Sequence, residues 1–222
     1  MNYENIGLCL PTYNEAENVK TVVDNIQKYY SGFLFIVDGF STDSTVQIAK
    51  EMNVPVYSRE MPGKGSAIQK ALEIAAYEGK EFLMYFDCDR TYDPSDIENM
   101  MVNVKSNDLV IGVRPLSKID PFHRRLGNVV ATELINISLN GKVKDSISGF
   151  KCLRVETFRP VLSENGFVID ALISALAIKH EMRISLVPIS YFERTGESKM
   201  GFLIGVRELV KLLLAIWQIR KP

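Results

Sequence analysis

Apolar residues in the first half of the chain gather into short unbroken runs at 6–10, 33–37, 82–86 and 109–112, with a weaker one at 54–58. Each run is bounded by polar residues. Runs of this length without apolar–polar alternation predict strands covered on both faces. The stretches between them, 16–29, 44–52, 65–77 and 94–104, carry helical spacing. The second half is mixed: helices are predicted over 122–139, 167–179 and 202–219, and strands over 150–155 and 184–192. The pattern predicts an α/β fold with a mostly parallel central sheet flanked by helices. A length of 222 residues suits one such domain.

Open α/β sheets bind ligands beyond the carboxyl ends of their strands. In this chain those ends carry Pro11-Thr12-Tyr13-Asn14-Glu15, Asp38-Gly39, Asp87-Cys88-Asp89 and Gly112-Val113-Arg114. Acid concentrated on one sheet edge marks a candidate site.

Composition narrows the classes. The chain is 46% hydrophobic and 24% charged, as a folded domain is, and its formal net charge of -1 disfavours nucleic acid as the main partner. Cys9, Cys88 and Cys152 lack paired metal-ligand spacing and read as reduced thiols. Residues 1–7 do not read as a signal peptide, and no run reaches the ~20 apolar residues of a spanning helix. The expectation is a cytoplasmic protein, soluble or resting on a membrane.

Asp87 and Asp89 are the sharpest chemical signal. Carboxylates one residue apart diverge in a strand, but at a strand end the chain turns and both reach one cation. Hard ions such as Mg²⁺ or Mn²⁺ take such oxygen ligands and bridge them to substrate phosphates. The bland alternative is a pair of solvated loop acids beside Arg90. Asn14 is a candidate N-cap for the first helix, and Ser41 or Asp43 for the second. Asp38 is placed to accept hydrogen bonds from a base or ribose. Gly63-Lys64-Gly65-Ser66 lacks the Walker pattern, yet a lysine at a glycine-flexible helix start suits a phosphate. Arg194-Thr195-Gly196-Glu197-Ser198-Lys199 is either a phosphate clamp or a solvated turn. His123 and His180 are isolated and read as structural or surface residues.

Taken together, these segments resemble the inverting glycosyltransferases of family 2, and most of all the polyprenyl- or dolichyl-phosphate sugar synthases. The resemblance runs from Leu10 to Lys199. It rests on Pro11 to Glu15 with Asn18, Asp38 with Ser41-Thr42-Asp43, Gly63-Lys64-Gly65, Asp87-Cys88-Asp89 and Gly112-Val113-Arg114. It continues through Asp145 with Ser148-Gly149-Phe150, and Arg194 to Lys199. It implies the fold called GT-A, a Rossmann-like single domain over 1–200. Residues 1–114 would form a nucleotide-binding half and 115–200 an acceptor-binding half, with an amphipathic helix at 201–222.

The resemblance also implies roles. Pro11, Tyr13, Glu15 and Asp38 would hold the base and ribose, with Lys64 near the nucleotide. Asp87 and Asp89 would bind a divalent metal with the diphosphate; Thr91 stands where mannosyl relatives carry a metal-holding Gln. Arg114, Arg125, Arg194, Ser198 and Lys199 would hold the donor diphosphate or the acceptor phosphate. The catalytic group would comprise Asp89, Arg114, Asp145 and Asp170, the last where Glu is more usual. Asp145 and Asp170 are the candidate bases for a hydroxyl acceptor; a phosphate acceptor needs none. Asp38-Gly39-Phe40-Ser41 departs from the common Asp-Asp-Gly-Ser and leaves UDP- and GDP-sugars both open.

The expected partners are thus a nucleotide sugar, polyprenyl or dolichyl phosphate, and the cytoplasmic face of a membrane. The helix over 202–219 places Arg207, Glu208, Lys211 and Gln218 on one side and Val210, Leu213, Leu214 and Trp217 among the residues of the other. That suits a membrane interface, or an ordinary packing helix. Competing readings are a family 2 enzyme acting on a sugar hydroxyl, a nucleotidyltransferase, and a nucleotide-sugar-binding protein without catalysis.

Overall fold

The computed structural model describes residues 3–59, 61–119, 121–162, 169–193 and 202–220. Among them, β1 (Ile6–Thr12), β2 (Phe33–Asp38), β3 (Val56–Ser58), β4 (Phe82–Tyr85), β5 (Leu109–Val113), β6 (Lys151–Arg154) and β7 (Ile184–Pro188) form one sheet, in the order β3-β2-β1-β4-β6-β5-β7. The pairs β1–β2, β1–β4, β2–β3 and β5–β7 are parallel. β6 runs antiparallel between β4 and β5, and Lys151 lies opposite Tyr85 on one side and Ile111 on the other.

Both faces of the sheet are covered, so its strands are apolar throughout. Ile6, Leu8 and Leu10 of β1 pack with α1 (Ala16–Tyr29), α2 (Thr45–Glu51) and α4 (Ile97–Met101) through Val19, Val23, Ile26, Ala49 and Ile97. Cys9, Phe35, Val37 and Leu83 face the other way. They meet α3 (Lys64–Tyr77), α6 (Val155–Phe158) and α7 (Ile169–Lys179) through Ile68, Leu72, Phe158 and Leu172. The three cysteines are buried and form no disulfide. Outside α7 lie α5 (Phe122–Leu139) and α8 (Phe202–Arg220), joined to it through Ala131, Ile135, Ala175, Leu212 and Ile216.

Several elements differ from the pattern-based expectation. The helix expected over 94–104 opens as a 3₁₀ turn at Pro94–Asp96 and becomes helical only at Ile97–Met101. One contact is local and one distant: Asp93 accepts the Ser95 N–H, and Asp96 accepts the N–H of Ser190 far along the chain. The last strand ends at Pro188 rather than near Phe192, because a proline has no N–H to carry the ladder on. Asn14 does not cap α1: it sits at φ 51, and its side chain accepts the Thr42 N–H. The α1 N–H of Ala16 is met instead by Asp43, which also accepts the N–H of Thr45 at the start of α2. One carboxylate thus serves two helix starts.

The C-terminal helix packs against its neighbours. Leu212 and Ile216 are buried against α5 and α7, while Val210, Leu213, Leu214 and Trp217 remain exposed. No helix among the described residues is long and apolar enough to cross a membrane.

Candidate active site

The carboxyl ends of β1, β2, β4 and β5, together with the loop entering β6, converge on one edge of the sheet. β6 contributes its entrance because it runs backwards relative to its neighbours. The loop 145–150 therefore meets residues 87–92 and 114.

At the β1–β2 end, Asp38 is buried. It accepts from Thr12 Oγ1, Ser41 Oγ and Ser41 N at 3.1, 2.6 and 2.8 Å. Glu15 is buried as well, accepting from Asn18 Nδ2 at 2.7 Å while its N–H donates to Thr45 Oγ1. Pro11 lies within β1 opposite Val37, and Tyr13 is 44% exposed just beyond it. Arg59 donates to the Gly39 carbonyl and lies over the Phe40 ring. Pro11, Tyr13, Glu15 and Asp38 therefore share one strand-end region.

At the β4 end, Lys64 ties two acids together. Its Nζ is 2.6 Å from Asp87 Oδ1 and 2.9 Å from Asp170 Oδ2. Gly63, at φ 112, starts α3 in a conformation that only glycine adopts without strain, and so aims Lys64 inward. The second Asp170 oxygen accepts from Tyr85 Oη at 2.8 Å. Burial alone would depress the Lys64 ammonium, but Asp170 and Asp87 more than offset it and hold it above the usual lysine range. Burial raises the Asp87 carboxyl; Lys64 opposes this, and Asp89 and Asp170 add to it. The Asp87 side chain nevertheless stays 36% accessible. Asp89 is buried and accepts from Thr91 Oγ1 at 2.6 Å and Thr91 N at 3.2 Å.

Arg114 and Asp145 form a buried two-pronged pair, with Nε–Oδ2 at 2.8 Å and a terminal nitrogen to Oδ1 at 2.9 Å. The Arg114 N–H adds a third bond to Asp145 Oδ2. Its guanidinium also lies 5.2 Å from the centre of the Tyr191 ring. Burial would raise the Asp145 carboxyl, but Arg114 and then Lys151 hold it below the ordinary carboxylate range. Arg125 is tied elsewhere, to the carbonyls of Ile119 and Ser117. Arg194, Ser198 and Lys199 lie outside the described residues.

Gly149 joins the two clusters. A Cβ there would overlap Asp87 Oδ2 and lie 3.0 Å from Lys64 Nζ, so only glycine admits this approach. The Gly149 N–H donates to Tyr92 Oη at 2.7 Å. The sequence reading passed over Tyr85, Tyr92 and Lys151, which hold the acids and the loop from beneath. Lys151 is fully buried, with Nζ donating to the carbonyls of Ser146 and Ser148.

Asp87 and Asp89 suit a hard divalent cation that takes its remaining ligands from water and substrate phosphate. Among the described residues no group of three or more His, Cys, Asp or Glu surrounds a common point.

This arrangement, acids and cations on the carboxyl edge of a mostly parallel sheet, marks the ligand-binding edge of an α/β enzyme. The chain is a member of glycosyl transferase family 2, whose sequence profile matches residues 8–162. It is 28% identical over 199 residues to Glycosyltransferase AglJ of Haloferax volcanii, with 87% of this chain and 65% of that protein aligned. It is 27% identical over 223 residues to the Dolichyl-phosphate hexose transferase of the same organism, covering 96% of this chain and 94% of that protein. Its fold matches the glucosyl-3-phosphoglycerate synthase of Mycobacterium tuberculosis, solved with Mn²⁺, UDP and glucosyl-3-phosphoglycerate. The TM-score is 0.79 at 20% identity, over 98% of this chain and 81% of that one. The GT-A architecture expected from the sequence is the one observed.

Proposed function

We propose that this enzyme moves a hexose-type sugar from a UDP- or GDP-sugar to polyprenyl (dolichyl) phosphate, inverting the anomeric carbon. The observation that carries the acceptor is the state of the two candidate bases. Asp145 is locked to Arg114, and Asp170 is held by Lys64 and Tyr85. Neither is poised to take a proton from a sugar hydroxyl. A phosphate acceptor is already anionic near neutral pH and needs positioning more than a base. The name of the Haloferax hexose transferase supports the same acceptor.

In this reading Pro11, Tyr13, Glu15 and Asp38 bind the base and ribose. Asp87 and Asp89 hold Mg²⁺ or Mn²⁺ with the donor diphosphate, and Thr91 orients Asp89. The cation, when bound, neutralises charge developing on the departing nucleoside diphosphate. Arg114, aligned by Asp145, stabilises the same charge electrostatically in a water-poor setting. Lys64 keeps Asp87 and Asp170 in register and excludes a competing cation from between them. Arg194, Ser198 and Lys199 receive the acceptor phosphate, while Arg125, held by the carbonyls of Ile119 and Ser117, would have to release them to join.

The lipid is met at a membrane surface on the cytoplasmic side. Supporting this, α5 exposes Phe122, Leu126, Val129 and Val130, and α8 exposes Leu213, Leu214 and Trp217. Apolar side chains flanked by Arg and Lys suit the headgroup boundary.

The test is transfer from radiolabelled UDP- and GDP-sugars to polyprenyl phosphate, with Mg²⁺, Mn²⁺ or EDTA. Label entering the lipid phase only with metal is the expected result and identifies the donor. Metal-dependent donor hydrolysis without lipid product refutes the acceptor while retaining the donor site.

A further inference from the structure

Among the described residues Lys151 is the one lysine of the strands, and nothing in the proposed chemistry uses it directly. It is fully buried in β6, between Tyr85 of β4 and Ile111 of β5. Its Nζ donates to Ser146 O at 3.1 Å and to Ser148 O. Ser146 O accepts a further bond from Ser174 Oγ of α7, and the Ser146 N–H and hydroxyl both meet Thr132 of α5. The ammonium thus gathers the carbonyls of a loop whose two ends do different work. At one end Asp145 grips Arg114; at the other Gly149 packs against the Asp87 carboxylate.

A lysine is a costly way to tie a loop. An ammonium without solvent is disfavoured unless its protons are used and opposite charges face it. The charged groups that face Lys151 are Asp170 of α7 and Asp145 of the loop, opposed by Lys64 of α3 and Arg114 just after β5. Among the described residues the centre sets four carboxylates, Asp87, Asp89, Asp145 and Asp170, against three cations, Lys64, Arg114 and Lys151. Removing one cation therefore changes what the centre offers to an incoming diphosphate.

We infer that Lys151 is a positioning residue for donor binding: by tying the Ser146 and Ser148 carbonyls together it sets the Arg114 guanidinium and the Asp87 carboxylate in place, and it supplies charge beneath the diphosphate. The inference rests on the nucleotide-sugar reading of the site. Burial, incompletely offset by Asp170 and Asp145, lowers the Lys151 ammonium to about 8, so its charge is lost in a window where the donor phosphates, titrating near pH ~6, no longer change. Stability and function then respond with opposite sign. A lysine depressed in the folded state is protonated more readily in the unfolded chain, so between about pH 8 and the unfolded value near ~10.4 rising pH stabilises the fold through this group. Donor binding weakens over the same interval.

The experiment is calorimetric binding of UDP and GDP with Mg²⁺ to the full chain, from about pH 7 to about pH 9.5, alongside melting curves. Wild-type affinity is expected to fall roughly tenfold across that range while the melting temperature does not fall with it. Lys151→Met is expected to bind about ten- to hundredfold more weakly at pH 7 and to show no further fall with pH. Lys151→Arg, which does not titrate there, is expected to recover most of the affinity and lose the alkaline decline; it also decides the matter if the methionine variant does not fold. Wild-type affinity flat with pH, Lys151→Met binding like wild type, or an alkaline decline preserved in Lys151→Arg would each overturn the inference. A wild type that binds neither nucleotide removes the nucleotide reading and this inference together. Binding without transfer to lipid refutes only the acceptor.

Discussion

Gly149→Ala isolates the meeting point of the two clusters. The added methyl overlaps Asp87 Oδ2 and stands 3.1 Å from Asp87 Cγ and 3.0 Å from Lys64 Nζ. Carbon prefers contacts of roughly 3.5–4.0 Å, so the carboxylate must retreat by about 1 Å or the loop must lift by as much. Either movement disturbs the 2.6 Å Asp87–Lys64 contact and one of the two carboxylates offered to the metal. A displacement of about 1 Å at a reacting centre lowers rate by about 10²-fold, near 2.7 kcal/mol of barrier. Overpacking destabilises the fold by about 1–3 kcal/mol, a melting shift of about 2–12 °C for a domain of this size. The assay is initial rate of transfer to polyprenyl phosphate at saturating metal, with melting measured on the same preparation. A variant within about threefold of wild type, below 0.7 kcal/mol, would show that Gly149 does not constrain Asp87 and that the convergence of the clusters is not functional.

Asp145→Ala leaves a buried guanidinium without its partner, which destabilises by about 3–5 kcal/mol and should lower the melting temperature by about 10 °C. Because the Asp145 carboxyl is held below its ordinary range, its contribution is complete above the unfolded value of about 3.9 and is lost as pH falls through the lower folded value; the gap between variant and wild type should close only in strong acid. Gly127→Ala, at an exposed α5 position with nothing within 4 Å of the new methyl, should raise stability by about 1 kcal/mol through helix propensity, and a lower melting temperature would contradict the assigned helix. Leu214→Glu with Trp217→Glu removes exposed apolar surface worth about 1.5–3 kcal/mol per side chain when fully buried; cosedimentation with anionic vesicles should drop by at least about tenfold, and unchanged sedimentation would exclude α8 from the membrane contact. Asp89→Ala should abolish metal-dependent transfer, and full activity with metal present would remove Asp89 from the mechanism.

Much of this molecule is legible in its sequence because the strands are buried on both faces. An unbroken run such as Phe82 to Phe86 needs no long-range information to be read as a covered strand, and the acids after it then fall on the ligand-binding edge. Strand order is not a local property, and nothing in 150–155 says that this strand runs backwards between β4 and β5. Lys151 was missed for a related reason. A lone charge in a strand suggests a solvent-facing position, yet Phe150, Lys151, Cys152 and Leu153 are all buried. In a strand covered on both sides the charge must lie inside, and its partners come from the preceding loop. On α8 the periodicity was legible, but the helix turns Leu212 and Ile216 inward and leaves Leu213, Leu214 and Trp217 outside. A wide apolar stripe does not reveal which part of it the protein keeps for itself.

The placement of β6 governs the order in which the chain can be made. Among the described residues its neighbour β5, at Leu109–Val113, pairs with β6 at Lys151–Arg154 and β7 at Ile184–Pro188, and with no strand before it. During synthesis, β1 to β4 can assemble as each emerges, but β5 must wait for later segments. At ~5–20 residues per second that leaves an apolar strand edge unpaired on the ribosome for seconds. An unpaired edge of this kind is a template for association with other chains. Slow translation across the region between β5 and β6 would lengthen that interval, so the yield of folded enzyme should be sensitive to codon choice there more than elsewhere in the gene.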